Sequence, residues 1–405
     1  MEKLKSREHD FSSKIRQESV VEKLRKYISW QRNLETNSDN QKLPSFGPIS
    51  INLDLTSACN FSCPHCVDSA VVNTGKYLTL ENIKKTISIL HSKGLLSVIL
   101  LGGGEPTLHK DFKEIVSYIK NRKLEIGIVT NGSRLNRIAD IAKLLKEKDW
   151  IRISIDAAKE ETFKDLHLPK TKVTLARILM EAKKIKVINP IVSMGYSFVI
   201  VWEGMEVDGN KLSPNVYEIV EAMELAREYS FDYISFKPCL IRLEDSNRES
   251  LLDKVYKARE EEIIETIETH LQKAKTAADG KINILESVNL KAMLNRETYK
   301  IKKQPKRCHI QFFRTVVTPS GIFHCPAFRG VEKAKITERN GYITKRKFDE
   351  SLENLAKSIL TFNAEEECKV VGCFYHNVNW WLENFINSKK DINEIKKVKD
   401  DNFFL

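Results

Sequence analysis

The sequence predicts an α/β protein: a parallel sheet curved into a partial (β/α)6 barrel, followed by a smaller cysteine-bearing domain. Three observations carry that expectation. Six apolar runs read as buried strands, at 49–55, 97–101, 125–130, 150–155, 191–201 and 233–236. Helical patterns lie between them, with Ile83, Ile87 and Leu90, then Ile115 and Ile119, then Ile138, Ile141 and Leu145 on their apolar faces. Such alternation favours crossover connections and a parallel sheet. Past residue 236 the alternation stops, and four of the eight cysteines lie beyond residue 300.

The domains follow in order. Residues 1–48 form a charged helical extension carrying Ile15, Leu24, Tyr27, Ile28 and Leu34, broken by a polar loop at 37–41 and expected to pack outside the main domain. Residues 49–240 are the barrel. Residues 241–303 are a helical connector, with a long helix over 251–271 that carries Leu252, Val255, Tyr256, Ile263, Ile267 and Leu271. A short strand-like piece at 282–285 reads as part of this connector rather than as a seventh unit. Residues 304–385 are rich in cysteine and aromatic residues, and 386–405 are a charged tail.

Composition bounds the partners. With 405 residues, 41% hydrophobic and 30% charged, the chain has the make-up of an ordinary soluble protein with a sizeable core. The longest apolar stretch, 95–101, is too short to cross a bilayer, so no membrane is expected and the location reads as cytoplasmic. In that reducing setting cysteines serve as metal ligands or buried thiols. The net charge of +11 reads first as a solvated surface and otherwise as a site for a nucleotide, a phosphorylated sugar or RNA. Its densest patch, 296–307, has Lys300, Lys302, Lys303 and Lys306 between two arginines and little aromatic interleaving, a weak nucleic-acid signal.

The chemistry is concentrated after the first strand, in Cys59-Asn60-Phe61-Ser62-Cys63-Pro64-His65-Cys66. One short loop can present three thiolates to one face of a metal cluster. Three ligands on a four-iron cubane leave one iron open to a cofactor. The alternative is a closed structural zinc site with His65 as fourth ligand. The C-x3-C-x2-C spacing resembles the signature of the radical S-adenosylmethionine (SAM) superfamily. That resemblance implies a TIM-like partial barrel, and a [4Fe–4S] cluster on Cys59, Cys63 and Cys66 whose open iron chelates SAM. It also implies reductive cleavage to a 5′-deoxyadenosyl radical, hydrogen abstraction from a substrate, and an external electron donor such as flavodoxin or ferredoxin. His65 stands where relatives usually carry an aromatic residue.

Gly102-Gly103-Gly104-Glu105-Pro106 ends the second strand, and alone it would be only a glycine turn. One strand after the cysteine loop, it resembles the family's GGEP motif, which implies SAM-amino contacts at Gly103, Gly104, Glu105 and Pro106. Thr130, Ser154 and Asp156 lie at the ends of strands three and four, where turn and capping chemistry is the plain reading. The resemblance implies contacts to the SAM ribose and carboxylate there. Relatives often carry an arginine about a dozen residues on; here His167 falls nearest, flanked by Lys164 and Lys170, neither equivalent to a guanidinium fork.

Cys308, Cys325, Cys368 and Cys373 supply four more thiolates, with His309, His324 and His376 beside them. Chemistry alone divides this set evenly between an iron–sulfur cluster and zinc. The arrangement resembles the twitch form of the SPASM extension, implying one auxiliary [4Fe–4S] cluster, two clusters in all. Cys239, after the sixth strand, reads as a small core side chain, with hydrogen donation to a substrate radical as its catalytic alternative. Trp380, Trp381 and Phe385 read as core. The expected activity is a radical SAM oxidation of a small polar substrate, a sugar, aminocyclitol or nucleotide. The alternatives are a maturase of a ribosomal peptide or protein, and a non-catalytic zinc or iron–sulfur protein that binds nucleic acid.

Overall fold

The computed structural model describes residues 11–35, 42–243, 246–250 and 254–401. The polar loop expected at 37–41 and Leu252 lie outside the described residues. Ten strands form one sheet: β1 (Ser50–Asp54), β2 (Ser97–Leu101), β3 (Glu125–Thr130), β4 (Trp150–Ser154), β5 (Ser193–Ile200), β6 (Tyr233–Pro238), β7 (Asn283–Glu286), β8 (Arg314–Thr318), β9 (Gly321–Phe323) and β10 (Lys335–Thr337). Their order is β7-β6-β5-β4-β3-β2-β1-β8-β9-β10. Every pairing from β7 to β8 is parallel, and β8-β9-β10 run antiparallel. The six expected β/α units are present.

Two features of the sheet go beyond the expectation. The piece read as connector, Asn283–Glu286, pairs in parallel with β6 and so adds a seventh barrel strand at the edge. It is four residues long and half-buried throughout, too short and too mixed to show a strand period. The C-terminal hairpin also continues the barrel sheet, because β8 pairs in parallel with β1.

Register sorts the two faces of the sheet. Ile51, Leu53, Val98, Leu100, Ile126, Ile128, Ile151 and Ile153 are buried on one face. They meet the apolar stripes of the helices Leu80–Ser92 and Phe112–Asn121, where Ile83, Ile87, Leu90, Ile115, Val116 and Ile119 are buried. Each fully buried side chain of this kind contributes about 1.5–3 kcal/mol. Thr79 starts the first of these helices by accepting a hydrogen bond from Asn82 N. The inner face is polar and small: Asn52, Asp54, Arg152, Ser154, Ser197, Ser235 and Lys237 share it. Glycine makes room for its floor. A Cβ on Gly127 would lie 2.3 Å from the Trp150 ring, and one on Gly195 2.0 Å from Tyr233.

The N-terminal extension, with its helix Val21–Glu35, lies against the C-terminal region. The Tyr27 hydroxyl is 2.8 Å from His309 Nδ1, and its ring lies 4.9 Å from Phe312. Arg32 donates to the carbonyls of Phe385, Ile386, Ser388 and Lys390, which cap the end of helix His376–Asn387. The long connector helix is Glu260–Ala278, separated at Arg259 from the short helix Lys254–Ala258. Two cations of the basic patch are paired, Arg296 with Glu261 and Glu268, and Lys300 with Glu297. That agrees with a solvated surface. No helix among the described residues is long and apolar enough to cross a membrane.

Candidate functional site

The cysteine loop leaves the carboxyl end of β1, where active sites of parallel α/β barrels are built. Backbone pairing holds its shape. Phe61 bridges Pro169, Ser62 N donates to His167 O at 3.1 Å, and Lys170 N to Asn60 O at 2.9 Å. From the other side Asn73, at φ 57°, accepts the Cys59 amide proton at 2.8 Å through its side chain. Burial raises the Cys63 thiol well above its usual pKa, and the neighbouring Cys66, Asp156 and Cys59 push the same way. Metal binding would overcome that cost by taking the thiolate form. Among the described residues, no three His, Cys, Asp or Glu side chains close on one point as the ligands of a single ion do. A cubane spreads its ligands wider, since each thiolate takes a different iron.

Beside the loop, β2 ends in a shelf that only glycine can form. A Cβ on Gly104 would sit 2.5 Å from the Ala58 carbonyl oxygen and 2.6 Å from backbone atoms of Ser57 and Thr56. One on Gly103 would meet Val71 Cγ2 at 2.7 Å. Gly104→Ala should therefore displace the shelf from the cysteine loop. The expected outcome is SAM binding at least tenfold weaker, about 1.4 kcal/mol, with stability reduced by about 1–3 kcal/mol. SAM titration of the reconstituted protein and thermal melts would check it; parental affinity would refute it.

Glu105 is a hub of the scaffold. Its buried carboxylate accepts from Thr107 N, the Thr107 and Thr130 hydroxyls and Asn131 N, the last at 2.7 Å, while its own amide donates to Ala58 O. Burial raises its pKa, and these four donors oppose the rise. Thr130 thus ties the end of β3 to that of β2, and Pro106 opens the 3-10 turn that follows. Asn131 was not anticipated: its amide lies 3.8 Å from Cys59 Sγ and donates to Asn60 Oδ1 at 3.0 Å. Ser154 stands on the inner face in register with Ser197.

Asp156 and His167 are held differently from the ligand contacts the resemblance implied. Asp156 is buried at φ 55°, accepting from Val199 N at 2.7 Å, with His65 Nε2 at 3.4 Å and His167 Nε2 at 3.5 Å from its other oxygen. Burial pushes its carboxyl up, but the hydrogen bond from His65 and the two histidine charges outweigh it, leaving the pKa below the ordinary value. This contact also explains His65, whose side chain is only 8% exposed. His167 is buried, with Nε2 2.7 Å from the Ile155 carbonyl and Nδ1 3.2 Å from Cys63 Sγ. A carbonyl only accepts, so in the neutral ring Nε2 carries the proton and Nδ1 is the bare nitrogen that faces the Cys63 sulfur. Burial pushes this histidine down to about 4. Lys164 and Lys170 are exposed.

A second group of thiols lies in the C-terminal region. Burial raises Cys368 well above its usual range, with Cys373, Cys308 and Cys325 adding to the rise. Cys373 is likewise raised by burial, then by Cys325 and Cys308. The four therefore converge. Two adjacent histidines are engaged elsewhere, His309 with Tyr27 and Glu383 and His376 with the Lys303 carbonyl, whereas His324 packs on the rings of Phe328 and Phe362 with both ring nitrogens buried and without a hydrogen-bond partner. Cys239 is 1% exposed within the core, its thiol 3.8 Å from the Leu240 carbonyl. That is the setting of a small buried hydrophobe.

An ion-pair bridge invisible to motif reading joins the hairpin region to the cysteine loop. Arg329 Nε is 2.8 Å from Asp54 at the end of β1, and its Nη1 is 2.6 Å from Asp68, just past Cys66.

Comparison with known proteins places this arrangement. A match to the Radical SAM superfamily covers residues 53–255, half of the chain. The chain is 36% identical over 113 residues to an S-adenosylmethionine-dependent nucleotide dehydratase of Selenomonas ruminantium, covering 28% of this chain and 40% of that protein. It is 34% identical over 116 residues to the mycofactocin maturase MftC of Mycolicibacterium smegmatis, covering 28% and 29%. It thus spans less than half the length of these curated relatives. In fold it is similar to Streptococcus suis SuiB, at TM-score 0.59 and 16% identity over 95% of this chain and 82% of that one. It is also similar to anSMEcpe with bound AdoMet, at TM-score 0.52 and 15% identity over 86% and 98%. The superfamily binds SAM and a [4Fe–4S] cluster. On this kinship the chain belongs to the radical SAM superfamily of enzymes.

Proposed function

We propose that this chain reductively cleaves SAM and takes a hydrogen atom from a C–H bond of a polar substrate held against the inner face of the barrel. The observation that carries the reading is the convergence of Cys59, Cys63 and Cys66 beside the Gly103–Gly104 shelf at adjoining strand ends. These thiolates would hold a [4Fe–4S] cluster, which supplies one electron to SAM and an open iron for its amino and carboxylate groups. The glycine shelf offers backbone groups to the methionine end, and Glu105 and Thr130 keep the shelf and the β3 end together. Ser154, on the inner face, is the remaining strand-end contact. Asp156 and His167 act through the loop instead, holding His65 and Cys63.

With one electron from an external donor such as flavodoxin or ferredoxin, the bound SAM and cluster would supply the chemistry that removes a hydrogen atom from substrate; loss of one further electron and one proton would complete a net oxidation. The four converging thiols Cys308, Cys325, Cys368 and Cys373 would hold the auxiliary [4Fe–4S] cluster that accepts this electron. Such chemistry suits a cytoplasmic, reducing setting, consistent with eight cysteines that form no disulfide among the described residues.

The register row Ser154, Ser197 and Ser235, with Lys237 Nζ 3.5 Å from Ser197 Oγ, supports a hydroxyl-bearing or anionic small molecule such as a sugar, aminocyclitol or nucleotide. A second reading, a maturase of a ribosomal peptide, is favoured by the likeness to SuiB, solved with precursor peptide SuiA. Anaerobic reconstitution followed by reductant and SAM tests the class. About eight irons and 5′-deoxyadenosine are expected; zinc without nucleoside would discard the enzyme. Tight binding of a leader peptide would favour the maturase.

A further inference from the structure

Arg314 opens β8 and is 6% exposed. Three observations define its surroundings. The β8–β9 hairpin pairs Val316 with Phe323 and Val317 with Ile322, so Arg314 lies two residues before the outermost pair and Cys325 two residues after it. On its other side β8 runs parallel to β1, with Ser50 aligned to Arg314, and the guanidinium donates to Asn52 Oδ1 on that strand. The ring of Tyr375, two residues past Cys373, lies 5.8 Å from the guanidinium carbon. Arg314 therefore stands between the first barrel strand and the second group of thiols.

We propose that Arg314 is a fixed counter-charge to the auxiliary cluster, raising its reduction potential so that it serves as an electron acceptor. The inference rests on the reading of Cys308, Cys325, Cys368 and Cys373 as ligands of a [4Fe–4S] cluster. Adding one electron makes the site more negative by one charge, and a nearby cation in a low-dielectric interior stabilises the reduced form more than the oxidised one. Arginine suits the task because its guanidinium keeps its proton even where burial opposes the charge. Burial does lower its pKa, and the hydrogen bond with Tyr375 opposes that fall. The other guanidinium acting on it, Arg329, opposes the cation but is itself paired with Asp54 and Asp68.

The test is an EPR-monitored redox titration of the reconstituted full chain, with dithionite supplying the electron. The SAM-binding cluster is identified as the signal that changes when SAM is added. In Arg314→Met the other signal should shift to more negative potential by at least tenfold in its reduction equilibrium, about 59 mV for one electron. Arg314→Lys should largely restore it. Asn52→Asp keeps the arginine but neutralises its charge, and should lower the same potential, which covers failure of Arg314→Met to load. In all variants the SAM-responsive signal should hold still. An auxiliary potential unchanged in both Arg314→Met and Asn52→Asp overturns the inference alone. A parent protein with about four irons and one signal overturns the auxiliary-cluster reading, and the inference with it.

Discussion

Cys63→Ala is expected to abolish 5′-deoxyadenosine formation, by at least about 10⁴-fold if the electron-transfer step is lost altogether, equivalent to about 5 kcal/mol. Cys63 is the central thiol of the loop. Its neighbours Cys59 and Cys66 raise its pKa, His167 Nδ1 sits 3.2 Å from its sulfur, and the backbone just before it, 60–62, is pinned to residues 167–170. The loop will keep its shape without the sulfur, because that shape comes from backbone pairing. The loss should thus appear in chemistry and iron content, not in folding. Iron should fall from about eight to about four per chain, with the remaining absorbance belonging to the second thiol group. Cys373→Ala gives the complementary pattern: about four irons again, but with uncoupled SAM cleavage retained. Nucleoside formation equal to the parent's in Cys63→Ala would remove this cysteine from the ligand set.

Arg329→Met should cost about 3–5 kcal/mol of stability, the range for removing one partner of a buried ion pair. The guanidinium is 5% exposed and meets two carboxylates, Asp54 and Asp68, which it alone draws together across the interface of hairpin and cysteine loop. Burial pushes Asp54 up to about 7, Arg329 opposes that rise, and Asp68 adds to it. The sign follows from linkage. An acid with a raised folded pKa holds its proton more tightly when folded, so its ionisation destabilises the fold progressively between about pH 4 and 7 and by a constant amount above. Without Arg329 the folded pKa rises further, and the penalty keeps growing above pH 7. The variant should therefore lose more stability relative to the parent at pH 8 than at pH 6. Anaerobic denaturant melts at the two pH values would check this. A loss below about 1 kcal/mol, or one independent of pH, would show that the bridge does not hold the two regions together.

Local pattern sufficed for much of the structure. Apolar runs and helical stripes at fixed periods identify the six β/α units, since each element's burial is written in its own few residues. The cysteine loop and glycine turn were legible for a related reason: their chemistry depends on short spacings within one loop. His65–Asp156, Cys63–His167 and Asn131–Cys59 were not, because each joins residues 70 to 105 positions apart through side chains that are also ordinary turn and capping types.

By itself, then, the sequence determined the strand and helix inventory, the thiol-bearing loop and the family. Folding in three dimensions decided which strands neighbour one another, placing Asn283–Glu286 beyond β6 and joining β8 to β1. It also decided where buried charges find partners, bringing Arg329 to Asp54 and Arg314 to Asn52. The physical reason is that strand identity comes from nearest neighbours along the chain. Strand order and charge pairing come from desolvation among segments far apart along the chain, where a buried ion is tolerated only beside its partner.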